Sequence, residues 1–120
     1  MSLIRVDTTL SVLEGRHELA VLTLTNGQES FTVDCTITPP LSDDRPGEGM
    51  VFLWIEAIDD RGQAYTDFGG AHGVSDDGTR TVGTISGQPG ISADAAELSL
   101  RFAFLRGRSE NGHDVVVTLR

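Results

Sequence analysis

The chain has 120 residues, the length of one ordinary domain, and its 18 acidic residues outnumber 9 basic ones to give a formal net charge of −9. This charge disfavours nucleic acid and anionic membrane surfaces as partners, because binding them requires cationic patches. No stretch approaches the roughly 20 apolar residues of a membrane-spanning helix, and the N-terminus lacks the layout of a signal peptide. We therefore expect a single domain over residues 1–120 with no membrane insertion, in a compartment that the sequence leaves open.

Short runs of alternating apolar residues, each closed by a turn signal, recur from one end of the chain to the other. An alternation of period two is typical of strands, so the sequence predicts an all-β domain. The eight predicted strands cover residues 3–12, 17–25, 28–38, 50–58, 63–68, 80–86, 97–105 and 113–120. We expect the core to contain Leu22, Phe31, Phe52, Trp54, Phe102 and Phe104, with the single cysteine, Cys35, as a small buried residue.

The dipeptide Asn26-Gly27 predicts a tight hairpin between the second and third strands, because these residues readily adopt the positive φ angles of such turns. The register is open. A two-residue turn places Leu22 opposite Phe31, whereas a three-residue turn with a glycine bulge places Val21 there.

Consecutive antiparallel strands place alternate loops at opposite ends of a fold. If all eight strands alternate, loops 13–16, 39–49, 69–79 and 106–112 share one end, and loops 26–27, 59–62 and 87–96 share the other. The first end then gathers carboxylates and histidines. The candidate ligand-binding residues at that end are Asp43, Asp44, His72, Asp76, Asp77 and His113.

Two readings of these residues are open. Carboxylates suit calcium and histidine suits zinc, so they could form a metal or polar-ligand site. Aspartates at loop tips are also ordinary turn formers and solubilisers, and no EF-hand loop or H-x-x-x-H pair is present. No cofactor is required by the sequence, although calcium fits the acidic loops.

Other chemical motifs are weaker. No G-x-S-x-G motif is present, and the glycine-rich stretch 69–73 lacks the lysine and the following helix of a phosphate-binding loop, which favours a flexible loop. Glu56 is either a desolvated acid with a raised pKa or a surface glutamate paired with Arg101.

The segment Asp59-Asp60-Arg61-Gly62-Gln63-Ala64-Tyr65, the glycine-rich stretch after it, Pro89-Gly90 and Leu98-Ser99-Leu100-Arg101-Phe102 resemble telokin-like, immunoglobulin-type domains of uncharacterised bacterial proteins. The resemblance covers about residues 50–105 and its motifs are structural. It implies an immunoglobulin-like antiparallel β-sandwich of seven or eight strands, and it supplies no catalytic residues.

Three functions remain to be compared. The leading hypothesis is a non-catalytic binding or protein-interaction module whose partner is another protein or a second copy of the chain, because no catalytic constellation appears. The alternative is a calcium- or carbohydrate-binding domain that uses the acidic loops. A small enzyme comes third, and it would require His72 and His113 to converge with Asp76 or Asp77.

Overall fold

A computed structural model describes residues 2–41, 51–106 and 108–119. These residues form eight strands: β1 (Ser2–Val12), β2 (His17–Asn26), β3 (Phe31–Thr38), β4 (Val51–Asp59), β5 (Ala64–Val74), β6 (Thr81–Gln88), β7 (Glu97–Arg106) and β8 (Ser109–Thr118). The sheet order is β1-β2-β3-β6-β5-β4-β7-β8, and every neighbouring pair is antiparallel. The predicted all-β fold of eight antiparallel strands is confirmed.

The sheet is nearly closed and barrel-like. One layer contains β1-β2-β3-β6-β5 and the other contains β4-β7-β8. The two layers are joined where Ala57 pairs with Tyr65 and Ile58 with Ala64, and on the opposite side β1 lies against β8. The inward side chains of the eight strands therefore share one core.

A bulge in β5 allows this strand to change partner. β5 starts beside β4 and continues beside β6, and the register shifts between Asp67 and Gly69. Gly69 adopts a φ of +111°, which side chains rarely tolerate. One carboxylate oxygen of Asp67 accepts a hydrogen bond from the backbone N–H of Ile55 at 3.1 Å. Asp67 thus keeps β5 linked to β4 after the ladder between them has ended.

The core consists of the inward residues of all eight strands. Its largest fully buried side chains are Val12, Leu19, Val21, Leu24, Phe31, Val33, Ile37, Ile55, Leu98, Leu100, Phe102 and Phe104. The predicted burial of Phe31, Phe102, Phe104 and Cys35 is confirmed. Burial, and secondarily the nearby charge of Asp34, raises the pKa of the Cys35 thiol to about 11, so this thiol is un-ionised at neutral pH.

The prediction that Leu22, Phe52 and Trp54 lie in the core is wrong. Phe52 is 55% exposed and Trp54 is only half-buried, because the inward residues of β4 are Leu53, Ile55 and Ala57. The run 50–55 is apolar on both faces, so its alternation did not show which face is buried. Leu22 is also exposed, because the β2–β3 register shifts between Val21 and Thr23 and turns it outward.

The β2–β3 connection differs from both predicted registers. The two strands are paired, as predicted, but Asn26 lies opposite Phe31 and residues 27–30 form a four-residue loop. The N–H of Gly27 donates to the Ser30 carbonyl at 2.9 Å. The side-chain amide of Asn26 instead binds the backbone of Ile91, accepting from its N–H at 2.8 Å and donating to its carbonyl at 3.0 Å. This asparagine joins two loops and does not form a tight turn.

The predicted loop 69–79, including its glycine-rich stretch 69–73, is mostly strand. Residues 69–74 pair with β6, and only residues 75–80 form the turn. A side chain at Gly70 would lie 2.5 Å from the carbonyl oxygen of Thr84, so glycine is required here by the close approach of β6. Similarly, β8 begins at Ser109, so most of the predicted loop 106–112 is strand.

The alternation of strand directions places Asp59 and the turn 75–80 at opposite ends, as the loop argument requires. These ends are separated by the length of β5, roughly 30 Å at about 3.3 Å per residue. Within the described ranges, no helix has the length and apolar composition that spanning a membrane requires.

Candidate functional site

The predicted ligand-binding residues fall into three groups. Asp43 and Asp44 lie outside the described residues. His72 lies on β5 opposite Gly83, whereas His113 lies on β8 opposite Phe102 and packs its ring against Phe104 with 6.0 Å between ring centroids. Across residues 2–41, 51–106 and 108–119, no three His, Cys, Asp or Glu side chains lie close enough together to hold a metal ion. The two histidines therefore lie on separate strands and share no acidic group among these described residues.

Asp76 and Asp77 lie in the β5–β6 turn. One carboxylate oxygen of Asp77 accepts hydrogen bonds from the Ser75 hydroxyl at 2.6 Å, the Thr79 hydroxyl at 2.7 Å and the Thr79 N–H at 3.1 Å. The bonds from Ser75 and then Thr79 lower the pKa of Asp77 to about 2. Asp77 thus has a structural task in shaping this turn, and calcium binding there stays a prediction.

The outward face of β4-β7-β8, called here the apolar face, was missed by the sequence analysis. Phe52, Ile58 and Val116 are 55%, 48% and 60% exposed, and the half-buried Trp54 lies between the first two along β4. Strand pairing aligns Phe52 with Leu105 and Ile58 with Ser99, which in turn pairs with Val116. Large apolar side chains therefore occupy both ends of one continuous three-stranded surface.

An ion pair crosses the middle of the apolar face. Nε of Arg101 lies 3.5 Å from a carboxylate oxygen of Glu56, which is an exposed side chain and not a desolvated acid. The guanidinium of Arg101 occupies the space in which a side chain at Gly112 would lie. Ala103, next along β7 on the same face, has no exposed surface. Arg101 thus covers the neighbouring strand and leaves the larger apolar side chains uncovered.

The outward face of the other layer has a different character. Asp34 accepts hydrogen bonds from the hydroxyls of Thr84 at 2.9 Å and Thr23 at 3.2 Å, and the hydroxyls of Thr32 and Ser86 lie 3.3 Å apart. These side chains satisfy one another across three strands. The strands of this layer also expose Leu3, Leu22, Phe68, Val74 and Val82, so it differs from the apolar face by its central cluster of hydrogen-bonded side chains and not by a lack of exposed apolar residues.

The apolar face could have been detected in the sequence from β4. Residues 52–58 carry large side chains at both odd and even positions, which predicts burial on both sides of the strand. In the structure the odd positions face the core and the even positions face outward, where Phe52, Glu56 and Ile58 are exposed and Trp54 is half-buried. A strand that is apolar on both faces but covered on only one is a typical signal of a missing partner.

Comparison with known proteins provides a fold but no family. No family model matches the chain, and no curated protein matches it. The crystal structure of a conserved domain protein from Bacillus anthracis is similar, with a TM-score of 0.65 and 15% sequence identity over 94% of this chain. The match covers 48% of that protein, so this chain spans about half its length. At this identity the similarity supports the fold alone.

Proposed function

We propose that this domain is a non-catalytic protein-binding module that uses the apolar face of β4-β7-β8. The observation that carries the proposal is that Phe52, Ile58 and Val116 are exposed together on one three-stranded surface, with the half-buried Trp54 between the first two along β4. Exposing large apolar side chains together is unfavourable in water, and such patches typically mark interaction sites.

We further propose that the fold is an immunoglobulin-like sandwich. The order β2-β3-β6-β5 in one layer and β4-β7-β8 in the other corresponds to the ABED and CFG sheets of constant-type immunoglobulin domains, with β1 added at one edge. This order supports the resemblance to telokin-like domains drawn from residues 59–65 and 98–102. In such folds a sheet face is an available docking surface, because the connections run at the two ends.

The partner that best fits the apolar face is a protein with an apolar centre and a basic rim. Among the outward positions described for β4, β7 and β8 there are four carboxylates and one guanidinium, contributed by Glu56, Glu97, Glu110, Asp114 and Arg101. A second copy would bring the same acidic excess against this face. Complementary charge therefore favours a different, basic protein over self-association.

Site-specific photo-cross-linking tests the proposal. Benzoylphenylalanine is introduced either at position 58, on the apolar face, or at position 82, on the opposite layer, and is activated in cells of the source organism. We expect position 58 to label one predominant protein with a basic surface and position 82 to label none in common with it. The purified pair should then bind more weakly as ionic strength rises, because rim charges are screened.

Two matched variants identify the face. Val116 and Val82 are both exposed valines on outward strand positions, 60% and 43% exposed, but they lie on different layers. We expect Val116→Glu to weaken binding of the purified partner about tenfold or more, since a carboxylate would be buried against an apolar surface, and Val82→Glu to leave it unchanged. A dimer in sedimentation that Val116→Glu dissociates, or equal effects of the two variants, would contradict the proposed partner.

A further inference from the structure

The inward face of the β7–β8 hairpin changes from apolar to polar near the turn. Along β7 the inward positions are Leu98, Leu100, Phe102 and Phe104, and the next one is Arg106. The inward positions of β8 at the same end are Ser109, opposite Arg106, and Asn111, opposite Phe104. An arginine therefore stands where the alternation calls for another core residue.

These polar residues line a cavity of about 210 Å³ at the end of the fold. The β1–β2 loop forms the other wall and contributes Leu13, Glu14 and Arg16. Leu13 is buried and adopts a φ of 51°, and Glu14 follows it with a φ of 62°. Two consecutive side chains in the left-handed region are unfavourable, so the packing of Leu13 holds this loop in a fixed shape beside the hairpin.

The cations of the cavity have no acidic partner among the residues that the structure describes. Within the described ranges, no carboxylate lies within 4.0 Å of the side-chain nitrogens of Arg16 or Arg106. Nε of Arg106 is buried and has no hydrogen-bond acceptor among the same residues. A buried guanidinium N–H without an acceptor is costly, and native proteins rarely retain one without a use.

We propose that this cavity binds a carboxylate group, held between Arg16 and Arg106 with Ser109 and Asn111 as neutral hydrogen-bond donors. A planar guanidinium matches a carboxylate with two parallel hydrogen bonds. The lining carries two positive charges and the single negative charge of Glu14, which suits a singly charged group better than a phosphate dianion. The carboxylate comes from a small acid or from the C-terminus of a peptide. This site is separate from the apolar face.

Titration of the purified domain with sodium succinate, followed by NMR, tests the proposal. The Nε–H resonance of Arg106 and the side-chain amide of Asn111 should shift in a saturable way, whereas sodium chloride at equal ionic strength should leave them in place. A tetrapeptide with a free C-terminus, compared with its C-terminally amidated form, distinguishes the two sources. Saturation by the free peptide alone assigns the site to chain ends, and saturation by succinate alone assigns it to small acids.

Arginine variants locate the binding. Arg16 is exposed, so Arg16→Gln should fold normally and weaken binding of whichever probe saturates about tenfold or more. Arg80→Gln removes the same charge from the exposed β5–β6 turn, at the same end of the strands but outside the cavity, and should leave binding unchanged. Arg106→Gln is measured by the same titration if its amide spectrum matches that of the unmodified chain, and it should abolish saturation.

Four outcomes would overturn the proposal. Tighter binding of inorganic phosphate than of any carboxylate probe would contradict the proposed preference for a carboxylate. Equal losses of affinity in Arg16→Gln and Arg80→Gln would show that binding depends only on the net charge of the domain. No saturable shift with any probe would exclude the site. The last outcome is that a carboxylate probe saturates the cavity only in a variant that combines Asp43→Asn, Asp44→Asn and Glu48→Gln. This result would mean that the arginines already bind a carboxylate of the chain itself.

Discussion

At the scale of single residues, Asp59 shows how a buried carboxylate organises a turn. Its oxygens accept hydrogen bonds from the N–H groups of Arg61 and Gln63, each at 2.9 Å, and from the Tyr65 hydroxyl at 2.8 Å. The Tyr65 hydroxyl in turn accepts from the N–H of Ser92 at 3.3 Å. The segment 59–65, noticed in the sequence as a turn motif, therefore connects the β4–β5 turn to the loop before β7.

The ionised form of Asp59 should make the fold dependent on pH. Desolvation alone would raise the pKa of Asp59, but the hydrogen bonds donated by Gln63, Tyr65 and Arg61 outweigh it and lower this pKa below the ordinary value of 3.8. A lowered folded-state pKa contributes stability that is fully present above the unfolded pKa and is lost as pH falls through the folded pKa. Urea unfolding at several pH values should show that Asp59→Asn is less stable than the unmodified chain at pH 7 and that the difference narrows below about pH 4.

Asp94→Asn is the control for this prediction. Asp94 has a 79% exposed side chain that pairs with Arg61 at 3.4 Å, so its loss should change stability little at any pH. A stability difference for Asp59→Asn that stays constant down to pH 3 would mean that ionisation of Asp59 does not support the fold.

At the scale of elements, two glycines of β5 differ in backbone conformation although neither is crowded. Gly69 and Gly73 lie on the same strand, and a side chain at either would contact nothing within 4 Å. Only Gly69 has a positive φ, at the bulge where β5 leaves β4 for β6. Comparing alanine at these two positions therefore isolates the effect of backbone strain, since neither position is sterically crowded.

We expect Gly69→Ala and Gly73→Ala to change stability in opposite directions. Gly69→Ala should destabilise the domain by about 1–3 kcal/mol, because a side chain is strained at this φ. Gly73→Ala should stabilise it by about 0.5–1 kcal/mol, because alanine loses less conformational freedom than glycine when a strand forms. Chemical denaturation of both variants measures the difference, and equal values would show that the bulge geometry is wrong.

The same strand shows where sequence reasoning succeeded and where it failed. Period-two alternation located strands such as β3 and β7, in which alternate residues are buried, whereas β5 buries only Tyr65 and its predicted strand ended at residue 68. The glycines at 69, 70 and 73 suggested a loop, yet residues 69–74 are strand, because glycine is also the residue that permits a bulge and a close backbone approach. Local composition could not distinguish these uses, since the approaching strand β6 is contributed by residues farther along the chain.

At the scale of the whole molecule, the strand count alone predicted which turns lie at which end of the fold. It did not predict which residues lie on the outer faces. Eight alternating strands placed the turn 75–80 far from Asp59 without knowledge of any contact. The outward position of Phe52 and Trp54 required the identity of the buried face of β4, which an apolar run on both faces conceals. The apolar face and the inward Arg106 are both departures from a simple core pattern, and departures of this kind are expected at functional sites.

The central claim is that the apolar face exists for binding and contributes little to folding. The most direct measurement is the free energy of unfolding of a triple variant, Phe52→Thr, Ile58→Thr and Val116→Thr, in which threonine preserves strand propensity. We predict a value within about 1 kcal/mol of the unmodified chain, since exposed substitutions are usually small, whereas Phe102→Ala in the core should cost about 3–5 kcal/mol. A loss in the triple variant as large as that of Phe102→Ala would show that these side chains hold the fold together and would contradict the account.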